Sequence, residues 1–245
     1  MSEELIQNIS VDCVVFGFNP EEKSLSLLLI ERKLEALELY DININDHKLT
    51  GFHVQKKETL DEAASRVMRD LTGLDNIFKK QFKIFGDPDR INKPHDVLWI
   101  KSQNLDSRSL TVAYSFLIPV NAVDLEGKQF NPKWFPINEI PTLAFDHKQI
   151  VDEAYADLKK KALHDPMIFE LLPEKFTLNE LQDLYETVLG LELDSRNFRR
   201  KVLTKKYIVK LTEKRVGQTK KPSQLFTFNL EIFEKLSEEN RLINL

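Results

Sequence analysis

The stretch Gly51–Leu74, GFHVQKKETLDEAASRVMRDLTGL, constrains the fold more than any other part of this chain. Leu60, Ala63, Ala64, Val67, Met68 and Leu71 recur at spacings of three and four, which lays an apolar stripe along one face of a helix. Thr59 followed three residues later by Glu62 reads as a capping box, and Asp61 and Glu62 suit the positive end of the helix dipole. Gly73 falls where a helix stops in a left-handed residue. A loop, a capped helix and a glycine stop must therefore find an apolar surface to cover.

Strand patterns on both sides of that helix supply the surface. Ile9–Phe18 and Ser24–Arg32 are β-rich apolar runs joined by the turn signal Asn19-Pro20-Glu21-Glu22-Lys23, and read as a hairpin. Glu35–Lys48 has weak periodicity and reads as a loop. Lys80–Phe85 reads as a strand, followed by the turn Gly86–Arg90 and a polar insert. Leu110–Pro119 is a strong strand pattern and Lys133–Pro136 a short one. His147–Leu163 carries Ile150, Val151, Ala154, Tyr155 and Leu158 on one helical face, and His164-Asp165-Pro166 breaks it. The expected boundary follows, giving domains 1–164 and 165–245 in an α+β chain.

The second domain has a different pattern. Thr177 and Glu180 form another capping box, ahead of a helix with Leu178, Leu181, Leu184, Tyr185 and Val188 on its apolar face. Gly190 turns the chain, and Asp194 or Ser195 caps a helix over Arg196–Lys206 whose core side is Phe198, Val202 and Leu203. Two β-rich segments, Ile208–Leu211 and Gln224–Phe228, flank a basic stretch. Helix, turn, basic helix and β-hairpin make a winged helix-turn-helix.

Charge supports that division. Net charge is −4 overall, yet Asp194–Lys221 holds eleven Lys/Arg against two acids while the rest holds 24 against 37. A basic module on an acidic one selects a polyanion, for which nucleic acid is the natural choice. A lone Cys13 excludes an intramolecular disulfide and a Cys-based zinc site, and suits a reducing cytoplasm. The sequence shows no signal peptide and no apolar stretch long enough to span a bilayer.

Two resemblances emerge from these residues. Glu58, Arg66 and Gly73-Leu74 stand at the spacing of the Nudix hydrolase signature, but its three metal-binding carboxylates are replaced by Val67, Asp70 and Leu71. Phe176–Leu181, Arg196–Lys201 and Pro222–Phe226 resemble the C-terminal domain of the Nudix-related transcriptional regulators, the NrtR family. Asp87-Pro88 and Ala144-Phe145-Asp146-His147 are similar to the same regulatory branch. The resemblance implies a Nudix-like α/β sandwich that senses an effector, followed by the DNA-binding winged helix.

A binder and not an enzyme is the expected outcome, with no catalytic residue, cofactor or metal. Magnesium requires oxygen ligands, and diphosphate hydrolysis requires that metal. Val67 and Leu71 have no lone pairs, while Glu58 is expected to accept a salt bridge from Arg66, a pair for which the resemblance implies a structural duty in the loop.

In the second domain, Arg196, Asn197 and Arg200 have the chemistry for base edges. Arg199 shares that exposed basic helix, and Lys201, Lys205, Lys206, Lys220 and Lys221 suit phosphates. The implied partner is a palindromic duplex operator read by a homodimer. In the first domain, the candidates around the former substrate cleft are Arg32, His53, Glu58, Arg90, Tyr114, Asp146 and His147. Each has an ordinary alternative: a loop residue for His53, a helix cap for His147, a strand-end ion pair for Arg32, a core aromatic for Tyr114.

The resemblance implies an effector that is either ADP-ribose or a related NAD metabolite, or a sugar, notably L-arabinose; of these L-arabinose leads, since the lost carboxylates remove the metal that would help hold a diphosphate. The sensor would then relieve repression of sugar-utilisation genes by shifting populations. The alternatives are an ADP-ribose-responsive regulator of NAD metabolism, an active hydrolase of ADP-ribose-like substrates, and an RNA-binding Nudix protein.

Overall fold

The computed structural model describes residues 5–32, 46–103, 105, 108–216 and 222–243. It divides into two compact units, Met1–Gly17 with Ser26–Asp157, and Phe18–Leu25 with Leu158–Leu245.

In the first unit the strands are β1 (Leu5–Asn19), β2 (Ser24–Arg32), β3 (Asp46–Lys48), β4 (Thr50–Gln55), β5 (Lys79–Phe85), β6 (Leu110–Pro119) and β7 (Lys133–Pro136). They are hydrogen-bonded in the order β3-β2-β1-β6-β5, with β4 also on β1 and β7 also on β2. Val11, Cys13 and Val15 of β1 join a core with α1 (Leu60–Thr72), while Val14 and Phe16, equally buried, lie outside that cluster. Phe16 instead meets Tyr155 of α3 (His147–Lys161) at 6.3 Å between ring centroids. The apolar runs are continuous because the sheet is covered on both faces.

The expected helix forms as its sequence dictates. Thr59 Oγ1 accepts from the Glu62 amide, Glu62 returns a carboxylate to the Thr59 amide at 2.7 Å, and Gly73 closes the helix at φ 78°. Its buried face is Ala63, Ala64, Val67, Met68 and Leu71, packed against Leu28, Ile30, Val112, Tyr114 and Phe116.

The structure corrects the reading in four places, the first being that the loop read ahead of α1 is in part strand β4, paired with β1. Asp46–Lys48, read as loop, is the short strand β3 pairing with β2; three residues are too few to show a period. The rest of that loop, 35–45, lies outside the described residues. The polar insert contains α2 (Pro94–Ser102), whose buried side chains are only Asp96 and Ile100, so its apolar periodicity is negligible. Pro94 at its first turn was the available signal. A last helix, α6 (Leu230–Ile243), went unread.

The second unit holds α4 (Leu178–Leu189), α5 (Ser195–Leu203), the antiparallel pair β8 (Ile208–Arg215) and β9 (Ser223–Phe228), and α6. Phe169 and Phe228 stack at 4.3 Å, and Tyr207 and Phe233 pack edge-on at 5.1 Å, giving this unit its own aromatic core. No helix among the described residues is long and apolar enough to cross a membrane.

Leu71→Ala should cost about 2–4 kcal/mol in denaturant unfolding, as for other buried leucines. Leu71→Glu should cost more, because a carboxylate then enters an apolar core.

Candidate effector site and candidate nucleic-acid interface

Glu58 and Arg66 face each other across the loop that leads into α1. Arg66 Nε donates to Glu58 Oε2 at 2.9 Å and an Nη to Oε1 at 2.6 Å, and the same guanidinium reaches the His53 carbonyl at 3.2 Å. Glu58 also accepts from the Gln55 amide at 2.8 Å. These bonds, led by the one from Arg66, hold the Glu58 carboxyl below its ordinary pKa. Every oxygen of Glu58 is therefore engaged in fixing residues 53–58 to the helix.

The three positions of the missing carboxylates split by burial. Val67 and Leu71 lie in the core and Asp70 is exposed, so these residues do not fit a magnesium ion. Among the described residues, Asp46, His95 and Asp96 bring donor atoms within 4.8 Å of one another. The guanidinium of Arg32 already occupies both of those carboxylates, which excludes a cation there.

Arg32 begins a buried ionic network. Its Nε donates to Asp46 Oδ1 at 2.7 Å, one Nη to Asp46 Oδ2 and the other to Asp96 Oδ1, with both arginine and Asp96 side chains fully buried. Register explains the pairing: Arg32 is opposite Asp46 on the β2–β3 ladder, while Glu31, opposite His47, is bonded instead by Lys133 at 3.0 Å.

Asp96 Oδ2 accepts from the Phe145 amide at 3.1 Å. The Phe145 ring lies 5.0 Å from the Arg32 guanidinium, edge-on to Trp99 and beside His147. Phe145 itself sits at φ 54°, a left-handed backbone that a bulky residue adopts only under surrounding constraint.

The neighbouring arginine closes a second half. Arg90 forks onto both oxygens of Asp146 at 2.9 Å and lies 3.6 Å from Asp12. His147 Nδ1 accepts from the Leu49 amide at 3.0 Å, so Nε2 carries the proton, 3.7 Å from Asp12 Oδ1. Burial drives the His147 pKa down against the pull of Asp12 and Asp146.

Arg32, Arg90, Asp146 and His147 are thus gathered, along with Asp12, Asp96, Trp99, Phe145 and Lys48, whose Nζ lies 5.8 Å from the Trp99 ring centroid; the sequence did not single out these five as site residues. Glu58 and His53 belong to the separate α1 cluster. Tyr114 is a core residue: its hydroxyl donates to Asp61 at 2.7 Å, and burial, then that bond, holds the phenol protonated.

The second unit assembles a helix-turn-helix. Buried Gln182 on α4 donates to Glu186, to the Leu193 carbonyl and to Ser195 Oγ within 3.1 Å. Glu186 also accepts from the Leu193 amide at 2.8 Å, and the two bonds, that from Gln182 first, lower its pKa. Asp194 is the cap of α5, accepting from the Asn197 amide at 2.8 Å. Tyr185 meets Phe198 edge-on at 5.9 Å. Phe198 and Val202 are half-buried, but Leu203, read as core-facing, is 60% exposed because α5 ends there.

Arg196, Asn197, Arg199, Arg200, Lys201, Lys205 and Lys206 are all exposed. Arg199 donates to Asn179 on α4 and Arg200 to Asn197 at 2.9 Å. Lys220 and Lys221 lie outside the described residues.

The comparisons with known proteins agree with this architecture. Residues 168–228 match the family model described as the NrtR DNA-binding winged helix domain. The chain is 26% identical over 231 residues to the ADPR responsive transcriptional repressor NtrR of Acinetobacter baylyi, covering 92% of this chain and 84% of the relative. It is 27% identical over 134 residues to the ADP-ribose pyrophosphatase of Methanocaldococcus jannaschii, covering 54% and 67%. The crystal structure of Shewanella oneidensis NrtR complexed with a 27mer DNA superposes with a TM-score of 0.73 at 25% identity, covering 92% of this chain and 95% of that one.

Asp96→Ala should destabilise the protein by about 3 kcal/mol in denaturant unfolding, because Arg32 stays buried with one partner instead of two. Stability should also fall as pH drops below about 6.5, where an unfolded histidine takes a proton that buried His147 refuses. A pH series of denaturation midpoints between 8 and 5 checks this, with His147→Gln flattening the slope.

Proposed function

We propose that this chain, a Nudix-fold DNA-binding regulator of the NrtR type, changes its hold on an operator when its first unit takes up ADP-ribose. The observation that carries this reading is the similarity, over 92% of the chain, to a repressor that responds to that ligand. L-arabinose, foremost in the sequence reading, gives way to the ADP-ribose alternative on that ground.

The regulator acts as a binder and does not turn its effector over. Val67 and Leu71 point apolar groups into the core where a hydrolase would present metal-holding acids, and Glu58 spends both oxygens on Arg66 and Gln55. No step therefore runs through a metal. Effector binding that favours one conformation over another shifts the population away from the DNA-competent form. A homodimer on a palindromic operator fits a module that reads one half-site at a time.

The test begins with selection of preferred duplexes by the full chain, followed by titration of ADP-ribose against the selected site. ADP-ribose should lower operator affinity by about 5- to 150-fold, the usual range of allosteric coupling, and L-arabinose should leave it unchanged. Release by arabinose and not by ADP-ribose would reverse the assignment. With magnesium present, ADP-ribose should yield no AMP; turnover at enzyme-like rates would sink the binder reading.

A further inference from the structure

Not every cation of the basic second unit is free for DNA. Arg215, at the end of β8, sends one Nη to Glu180 Oε1 and the other to the Lys175 carbonyl at 2.8 Å. Lys175 Nζ in turn meets both oxygens of Glu213 at 2.8–2.9 Å. The other oxygen of Glu180, Oε2, accepts from the Thr177 amide at 2.7 Å and so completes the capping box of α4. One carboxylate therefore both starts the first helix of the helix-turn-helix and grips the wing.

The backbone reinforces the same junction. Phe176 and Phe226 exchange both amide bonds, at 2.9 and 2.8 Å, which adds the residue before the Thr177 cap to the wing sheet. The β8–β9 ladder is irregular between Lys210 and Lys214, and Gln224 Nε2 spans the irregularity by donating to the Leu211 and Glu213 carbonyls. Glu213 and Arg215, exposed like Lys214 between them, are thereby presented to residues 175–180.

We infer that Glu180 and Arg215 are positioning residues for DNA binding, a clamp that fixes the wing to the start of α4, and that Arg215 does not neutralise a phosphate. The inference rests on the DNA-binding reading. A surface ion pair contributes little to stability on its own. The consequence here is geometric: a wing that swings relative to the helix-turn-helix must be ordered again each time it meets DNA, and that ordering weakens binding.

The two roles predict opposite signs. If Arg215 touches a phosphate, Glu180→Gln removes a competing negative charge and tightens binding, while Arg215→Gln lowers the salt slope of log affinity by about one. If the pair is a clamp, both variants weaken operator binding, by about three- to tenfold, with the salt slope unchanged. Glutamine at 180 keeps an oxygen for the Thr177 amide, so the helix cap survives while the grip on Arg215 is lost.

The measurement is operator affinity of the full chain across a salt series, for wild type, Glu180→Gln, Arg215→Gln and the double variant, with melting followed in parallel. Weakened single variants with parallel salt slopes and a double variant no weaker than either single one establish the clamp. Tighter binding by Glu180→Gln, or a shallower slope for Arg215→Gln, overturns it. Should Arg215→Gln not fold, Arg215→Lys decides: it keeps the charge and loses the fork, so wild-type affinity counts against the clamp and weakened affinity for it. Wild type that binds no duplex in a salt-dependent way would remove the DNA-binding reading itself.

Discussion

An amphipathic helix in water has to hide its apolar stripe, and the first unit is built around hiding that of α1. Val67, Met68 and Leu71 meet β1, β2 and β6 side chains in one core, each larger side chain contributing about 1.5–3 kcal/mol by leaving water. The same burial determines the chemistry. Val67 and Leu71, facing this core, offer no oxygen atoms to a metal ion, whereas Asp70 of the same stretch is exposed. What survives of the motif, Glu58 with Arg66 and the Gly73 stop, is the part that shapes the loop and ends the helix.

Beside this apolar core sits a polar one. Two arginines, each facing two aspartates, have their side chains buried beside a neutral histidine and a half-buried aromatic pair. Desolvating so many charges costs several kcal/mol per ion, and an apolar replacement is often no less stable. Stability alone does not account for such a network. The left-handed backbone at Phe145, held by the Asp96 carboxylate, is a local cost of the same kind.

The second unit distributes its positive charge unevenly among roles. Arg196, Arg199, Arg200, Lys201, Lys205, Lys206 and Arg215 are all exposed, but Arg199 is bonded to Asn179 on α4, Arg200 to Asn197 on its own helix and Arg215 to Glu180. Gln182 and Glu186, polar residues that no local pattern marks, hold the turn between the two helices by bonding the Leu193 carbonyl and amide.

Local signals alone determined the capped helices, the paired apolar strands, the glycine stops and the winged module, because caps, periods and turns involve residues a few positions apart. Tertiary structure decided the rest. α2 has no amphipathic face, being tied down by Asp96 to a strand residue 64 positions away. Arg32, Arg90 and His147 were legible as candidates by residue type, but that they share a network, and that Tyr114 and Glu58 stand apart from it, depends on register and loop closure. Lys48 on β3 and Trp99 on α2 joined the site without any sequence pattern, since a strand and a helix some fifty residues apart meet only through the tertiary fold, which no short-range rule encodes.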